Sequence, residues 1–231
     1  VTAAFFVKGV CGFANTIVFT TAMSFQNDNV SLSPIDLLTG YLPNLYMAWR
    51  ERKHADRRVW IPLAVMVLVG CIPGAMLLKG GDVRIVKLIF GVLVVAVGVE
   101  MLLRERQTER VKPSKAALYT LGIVSGLLCG LYGVGALLAA YVSRTTDTAD
   151  AFKGNMCMVF SIENTFRILL YSCTGILTVS TLLEVAKLLP FVALGLFLGM
   201  ETARRISDGK VKRVVVIALI VSGFALVLSN L

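Results

Sequence analysis

The chain has 231 residues, of which 57% are hydrophobic and only 16% are charged, and its mean hydropathy is +0.80. These values exclude an ordinary water-soluble domain and indicate a multi-pass protein of the cell membrane, with the lipid bilayer as its surroundings. The net charge of +9 does not indicate nucleic-acid binding, because the basic residues form short loop clusters rather than a continuous face.

Long apolar runs predict a chain that is helical throughout, because strands are shorter than these runs. In chain order the predicted segments are 1–25, 35–49, 60–78, 84–103, 116–142, 155–174, 178–200 and 213–231. Basic residues concentrate between them in three clusters, at 50–58, 104–115 and 204–213. Short basic loops stay in the cytoplasm, so the three clusters are predicted to lie on one side of the membrane.

The number of segments between the clusters predicts that one segment does not cross. Two segments separate the first and second clusters, whereas three separate the second and third. The segment 116–142 is the best candidate for a re-entrant hairpin, with its turn predicted over Ser125–Gly135, where glycines are frequent. Irregular backbone at membrane depth must be buried in protein or line a wet cavity, so a break there predicts a binding site.

Glycine positions suggest that the two halves of the chain are copies. Glycines in the first half recur in the second at an offset of 125, and Gly12 and Ala14 match Gly133 and Gly135 at an offset of 121. If each half consists of a hairpin plus three membrane crossings, the number of crossings is odd. The second half is then inserted in the membrane in the opposite orientation to the first. We therefore predict an all-α membrane protein of two inverted repeats, 1–103 and 116–231, joined by a cytoplasmic basic linker, 104–115.

Charged side chains in the middle of segment 155–174 are the main candidates for function. Glu163 and Arg167 are four residues apart and share a helix face, and Asn164 lies beside them. An ionised group at mid-membrane is costly and is a functional candidate by default. Arg167 is predicted to bind an anion, with Glu163 orienting it or titrating; the alternative is a self-neutralising pair that only stabilises packing.

A first glycine-rich turn is predicted over Gly9–Asn15, and the other predicted substrate-binding residues lie in or near the two turns or, for Asn44, in a separate apolar segment. Lys8 is a basic group deep in an apolar segment, although a lysine there can also extend to the interface. Asn15 and Asn44 can donate to a ligand or to a neighbouring helix, and Tyr132 is either a gate or a packing residue. Glycine backbone completes the predicted site at Gly12, Gly130, Gly133 and Gly135.

Metal, cofactor and catalytic motifs are not predicted. The five cysteines all lie in apolar stretches without the spacing of metal ligands or of a disulfide framework. The single histidine, His54, lies in a basic loop, and no set of residues typical of a hydrolase accompanies it. An intramembrane enzyme is therefore less favoured than a transporter or a membrane scaffold.

Two glycine-rich stretches resemble a known family. Gly122–Gly135, GIVSGLLCGLYGVG, and its weaker first copy Gly9–Phe13, GVCGF, resemble the signature of the sulfite exporter TauE/SafE family of membrane transporters. Where that family often has a Gly-Gly-Pro turn, this chain has Val134–Leu137, VGAL. The resemblance implies a transporter of sulfite, sulfonates or other small sulfur-containing anions.

The sequence thus predicts a secondary transporter that moves a small anion, such as sulfite or an organosulfonate, by alternating access. The same residues would also serve an anion channel, and a membrane scaffold without transport is the other alternative. The exact substrate, the direction, a coupling ion such as a proton and a homo-oligomeric state are left open.

Overall fold

The computed structural model describes residues 1–16, 18–19, 29–78, 92, 95, 99, 115–132 and 135–228. All regular structure in these residues is helical, which confirms the predicted all-α class for this part of the chain. The helices are α1 (Thr2–Cys11), α2 (Asn29–Arg50), α3 (Arg57–Leu78), α4 (Lys115–Tyr132), α5 (Ala136–Thr145), α6 (Ala149–Cys173), α7 (Val179–Arg205) and α8 (Asp208–Leu228). Most of the predicted segment 84–103 and of the linker 104–115 lies outside the described residues.

Two of the described helices are long and apolar enough to cross a membrane, α3 over Arg57–Gly74 and α7 over Val179–Arg205. Helix α7 exposes many large apolar side chains, including Leu183, Phe191 and Phe197. An apolar surface of this size suits contact with lipid rather than water. The 10 residues of α1 span only about 15 Å at about 1.5 Å per residue, which is half of a hydrocarbon core about 30 Å thick.

The first glycine-rich turn interrupts the helix, but over Gly12–Ala14 rather than over the whole predicted span Gly9–Asn15. Helix α1 ends at Cys11, Gly12 has φ +85° and its N–H donates to the Lys8 carbonyl oxygen. Ala14 has φ +71°, a left-handed conformation that is uncommon for a residue with a Cβ. Helical structure resumes at Asn15. The chain therefore changes course over Gly12–Ala14.

The second turn is shorter than predicted. Residues 125–132 continue helix α4, and the described part of the interruption is Gly135, which is non-helical and directly precedes α5. The prediction of a turn over Ser125–Gly135 was wrong at its start, because glycines can also serve helix packing. Gly126 does so: an added Cβ would collide with the carbonyl oxygen of Val67 in α3. Of the interruption itself, Gly133 and Val134 lie outside the described residues.

Glycines bring the backbones of α3 and α4 into direct contact. A Cβ added to Gly70 would strike the carbonyl oxygen of Ile123 and the backbone nitrogen of Leu127. A Cβ added to Gly74 would strike the carbonyl oxygen of Leu127. Small residues at these positions let two membrane helices approach closely and gain van der Waals contact.

The same arrangement joins α1 and α7. A Cβ added to Gly195 would strike the carbonyl oxygen of Thr2 and the backbone nitrogen of Phe6, and one added to Gly199 would strike the carbonyl oxygen of Phe6. The named atoms correspond to those between α3 and α4. Gly195 and Gly199 follow Gly70 and Gly74 by 125 residues, and Ile123 and Leu127 follow Thr2 and Phe6 by 121 residues.

Helices α2 and α6 pack against each other at the centre, and each also contacts one glycine-rich helix, α2 with α7 and α6 with α3. The largest apolar core gathers around the two interruptions. It includes Phe13 and Ala14 from the first interruption, Leu137 and Leu138 just after the second, and Phe160 of α6. The fold therefore holds both interruptions in one buried region beside α2 and α6.

Candidate functional site

A small, mostly closed cavity of about 20 Å³ lies between the two interruptions, α2 and α6. Six predicted site residues line it: Lys8, Asn15, Asn44, Gly135, Asn164 and Arg167. They come from four separate parts of the sequence, and the fold brings them together. A volume of this size has room for about one water molecule, so the cavity is contracted in this structure.

Arg167 is the most heavily engaged group at the cavity and is only 1% exposed. Its Nη1 donates to the Cys129 carbonyl oxygen at 2.8 Å and to Glu163 Oε1 at 3.3 Å. Its Nη2 donates to Ser33 Oγ at 3.2 Å, and its guanidinium carbon lies 5.3 Å from the centre of the Tyr171 ring. These contacts hold the guanidinium in one orientation, as a planar group that binds oxyanions requires.

Two polar atoms at this cavity lack a hydrogen-bond partner among the described residues. They are Arg167 Nε and Asn44 Oδ1, both fully buried. Leaving such groups unpaired costs about 1–3 kcal/mol each, and more for a charged donor. Both residues line the same cavity, so its wall offers one unused donor and one unused acceptor to a ligand or to water.

Lys8 is also buried, which rules out the alternative that it extends to the membrane surface. Its Nζ donates to Asn15 Oδ1 at 2.9 Å and lies 5.9 Å from the centre of the Phe160 ring. Lys8 lies in the last turn of α1 and Asn15 follows the interruption, so this hydrogen bond connects the two sides of the interruption.

Asp36 of α2 lines the cavity and was not predicted. It is 4% exposed; its Oδ1 accepts from Asn15 Nδ2 at 3.3 Å and its Oδ2 from Thr16 Oγ1 at 2.6 Å. Two signals pointed to it in the sequence: a carboxylate inside an apolar segment, and a spacing of four that places Asp36, Gly40 and Asn44 on one helix face. The predicted segment 35–49 puts Asp36 at its edge, whereas α2 begins at Asn29 and places Asp36 inside the helix.

The remaining predicted residues stand apart from the cavity wall or cannot be placed. Glu163 lies behind Arg167, with Oε1 4.0 Å from Cys71 Sγ, on the side of α3. Gly12 packs against Lys153, and Gly130 is buried within α4. Gly133 and the side chain of Tyr132 lie outside the described residues.

The charged side chains that line this cavity, together with Glu163 beside Arg167, balance one another among the described residues. Lys8 and Arg167 are the cations, and Asp36 and Glu163 are the carboxylates. All four are buried, and each makes at least one hydrogen bond to a polar partner. The arrangement is able to bind an anion through Arg167 and Lys8, but the added charge then has to be compensated.

Comparison with known proteins identifies one family. The chain matches the family described as "Sulfite exporter TauE/SafE" over residues 1–226. No curated protein and no solved structure shows a significant match to it. The family match includes both interruptions and every residue of the cavity wall. The chain therefore belongs to the sulfite exporter TauE/SafE family of membrane transporters.

Proposed function

We propose that this protein is a secondary transporter that moves a small anion, sulfite or an organosulfonate, across the cytoplasmic membrane by alternating access. The observation that carries the proposal is the buried Arg167, oriented by three hydrogen bonds and retaining an unpaired Nε at the cavity wall. A fixed guanidinium with a free N–H suits the oxygens of a sulfite or sulfonate group.

The transporter architecture that we propose is a pair of inverted repeats, 1–103 and 116–231, joined by the linker 104–115. Support comes from the equal glycine contacts of α1 with α7 and of α4 with α3. The non-helical residues Ala14 and Gly135 are again separated by an offset of 121. In secondary transporters with inverted repeats, the substrate binds near the membrane midplane, beside broken helices. The cavity of this protein likewise lies between two interrupted helices.

Substrate binding in this proposal requires the cavity to widen. A volume of about 20 Å³ is too small for an anion of four or more heavy atoms. Helices α1 and α7 pack together at glycines, and so do α3 and α4. If either pair moves relative to α2 and α6, the space between the interruptions becomes larger. Alternating access then consists of widening the cavity toward one side of the membrane at a time.

Charge balance at the site supports coupling to a proton or another cation. The two cations and two carboxylates cancel before the substrate binds, so a bound anion leaves one buried negative charge. Protonation of Asp36 would remove that charge, because Asp36 is the carboxylate that lines the cavity, whereas Glu163 pairs with Arg167 behind it. We therefore infer that Asp36 is the coupling group.

The experiment that tests this function is anion flux in liposomes that contain the purified protein. We expect saturable uptake of labelled sulfite or methanesulfonate that is accelerated by unlabelled anion on the opposite side. An anion channel would give flux without such acceleration, because its path is open to both sides of the membrane at once. A membrane scaffold would give no flux. Uptake of neither anion, in vesicles shown to contain folded protein, would reject the proposal.

A further inference from the structure

A second and larger cavity, of about 250 Å³, lies where the start of α6 meets the end of α2 and the end of α7. Its charged lining residues are Arg50, Glu51, Asp150, Lys153 and Arg204. The volume is sufficient for a small anion with some of its water, in contrast to the contracted central cavity. The space is therefore large enough to receive a ligand without a change in structure.

Lys153 differs from the other cations of this cavity. Arg50 Nε pairs with Glu51 Oε1 at 3.4 Å, and Arg204 Nη1 pairs with Glu201 Oε2 at 3.7 Å. Lys153 is only 7% exposed, and its ammonium has no hydrogen bond or ion pair with the described residues. A buried charge that lacks a partner among the described residues is unfavourable, so an anion that enters this cavity would gain a favourable interaction with Lys153.

Lys153 also lies directly against the first interruption. A Cβ on Gly12 would come within 2.9 Å of Lys153 Cγ, so the lysine stem packs on the glycine backbone. Cys157, one turn later in α6, has its Sγ 3.6 Å from the Gly12 carbonyl oxygen. The residues that follow Gly12, Phe13 to Thr16, line the central cavity. Lys153 therefore lies on one side of the interruption and the central site on the other.

We propose that this second cavity is an antechamber in which Lys153 binds a small oxyanion, a sulfonate or sulfite, on its way to or from the central site. The inference rests on the transport function proposed above. Arg50 and Arg204 belong to the basic clusters predicted to be cytoplasmic, so the antechamber opens on the cytoplasmic side. The two carboxylates in its wall, Glu51 and Asp150, favour weak binding and hence release.

The first test compares three variants in liposomes by the rate of methanesulfonate uptake. Lys153→Met removes the charge and keeps the length, Lys153→Arg keeps the charge, and Lys210→Met removes an exposed charge near the same loops. We expect Lys153→Met to lower the rate at low substrate by about tenfold and to leave the saturated rate unchanged, since charges that guide a ligand act on association. Lys153→Arg and Lys210→Met should stay close to the original protein.

The second test uses the unchanged protein, so that it does not depend on the folding of a variant. Methanesulfonate should protect Lys153, but not Lys210, from reductive methylation measured by mass spectrometry. The measurement is made in vesicles of zwitterionic lipid and repeated with anionic lipid. Protection by anionic lipid alone would assign the cavity to a lipid headgroup and overturn the antechamber.

Failure of the antechamber and failure of the transport function give different results. If Lys153→Met behaves like Lys210→Met and methanesulfonate gives no protection, while Arg167→Gln abolishes uptake, the antechamber is wrong and the central site stands. If the unchanged protein transports neither sulfite nor methanesulfonate, the transport function itself is wrong.

Discussion

Lys8 Nζ donates a hydrogen bond to Asn15 Oδ1 at 2.9 Å and so connects the two sides of the first interruption. The positions that correspond to these residues at an offset of 121 are Cys129 and Ala136, which cannot form such a bond. At the second interruption Arg167 reaches across from α6 and donates to the Cys129 carbonyl oxygen. The two interruptions therefore share a backbone plan but differ in the side chains that stabilise them.

The charge and the shape of Arg167 can be separated by substitution. Arg167→Lys should retain weak uptake, because the charge remains and the planar fork is lost. Arg167→Gln should lower uptake by on the order of tenfold or more, since each hydrogen bond from a charged group contributes about 1.5–3 kcal/mol. Uptake of labelled sulfite at matched membrane levels measures both effects.

The double variant Glu163→Gln with Arg167→Gln tests whether the arginine only balances the glutamate. It leaves no unpaired charge, so a purely structural pair would regain full uptake. We expect the double variant to stay inactive while its thermal stability recovers relative to Arg167→Gln. Full uptake by the double variant would remove Arg167 from the binding site.

Asp36→Asn tests the coupling group. The amide oxygen can still accept from Thr16 Oγ1, but the side chain no longer takes up a proton. We expect exchange of labelled anion to persist while stimulation of net uptake by a proton gradient disappears. Glu184→Gln, at an exposed position on α7, is the control and should keep the stimulation. Stimulated uptake in Asp36→Asn equal to that of the original protein would contradict the assignment.

Because the two helix pairs make corresponding glycine contacts, a larger side chain at either contact is expected to lower the stability of the protein to a similar extent. Gly70→Val and Gly195→Val each place a side chain against backbone atoms of a neighbouring helix, and overpacking costs about 1–3 kcal/mol or more. Both should lower the midpoint of thermal unfolding, followed by a thiol-reactive dye that labels the buried cysteines as they become exposed. Ala186→Val, on the exposed side of α7, should leave the midpoint unchanged. A large effect from only one of the two glycine variants would argue against equivalent roles.

Topology is testable with native and introduced cysteines. Cys173 is the exposed native cysteine and lies beside the connection 174–178. This connection is expected to face outside, because the hairpin 116–142 returns the chain to the cytoplasm and segment 155–174 then crosses the membrane. A membrane-impermeant maleimide added outside should label it. In a Cys173→Ser background, Thr148→Cys and His54→Cys should react only from the cytoplasmic side. Labelling of positions 54 and 148 from opposite sides would reject the re-entrant hairpin.

The sequence was sufficient to predict the helical class, the first interruption and most of the polar residues at the central cavity. Charged or amide side chains in apolar segments are costly, so Arg167, Asn164 and Lys8 were visible as isolated exceptions. Asp36 was missed because the start of α2 was placed too late, which made its carboxylate look interfacial.

Errors at the second interruption have a different origin. Glycine permits a turn and also permits close helix packing, and spacing alone does not distinguish these two uses. Gly122 and Gly126 pack against Met66 and Val67, which only the neighbouring helix reveals. In the same way, the second cavity depends on Lys153 lying beside Gly12, a contact between residues far apart in the chain.

The pairing of α1 with α7 has a consequence for how the protein is made. Helix α1 begins at Thr2, whereas the glycine face that receives it begins only after Val179, so most of the chain is synthesised before the two can meet. Helices α3 and α4, in contrast, lie close together in the chain, so they can pack against each other much earlier in synthesis. During biogenesis α1 therefore lacks the glycine face of its partner helix until α7 has been translated. The packing of α1 against α7 is consequently one of the last steps of membrane integration.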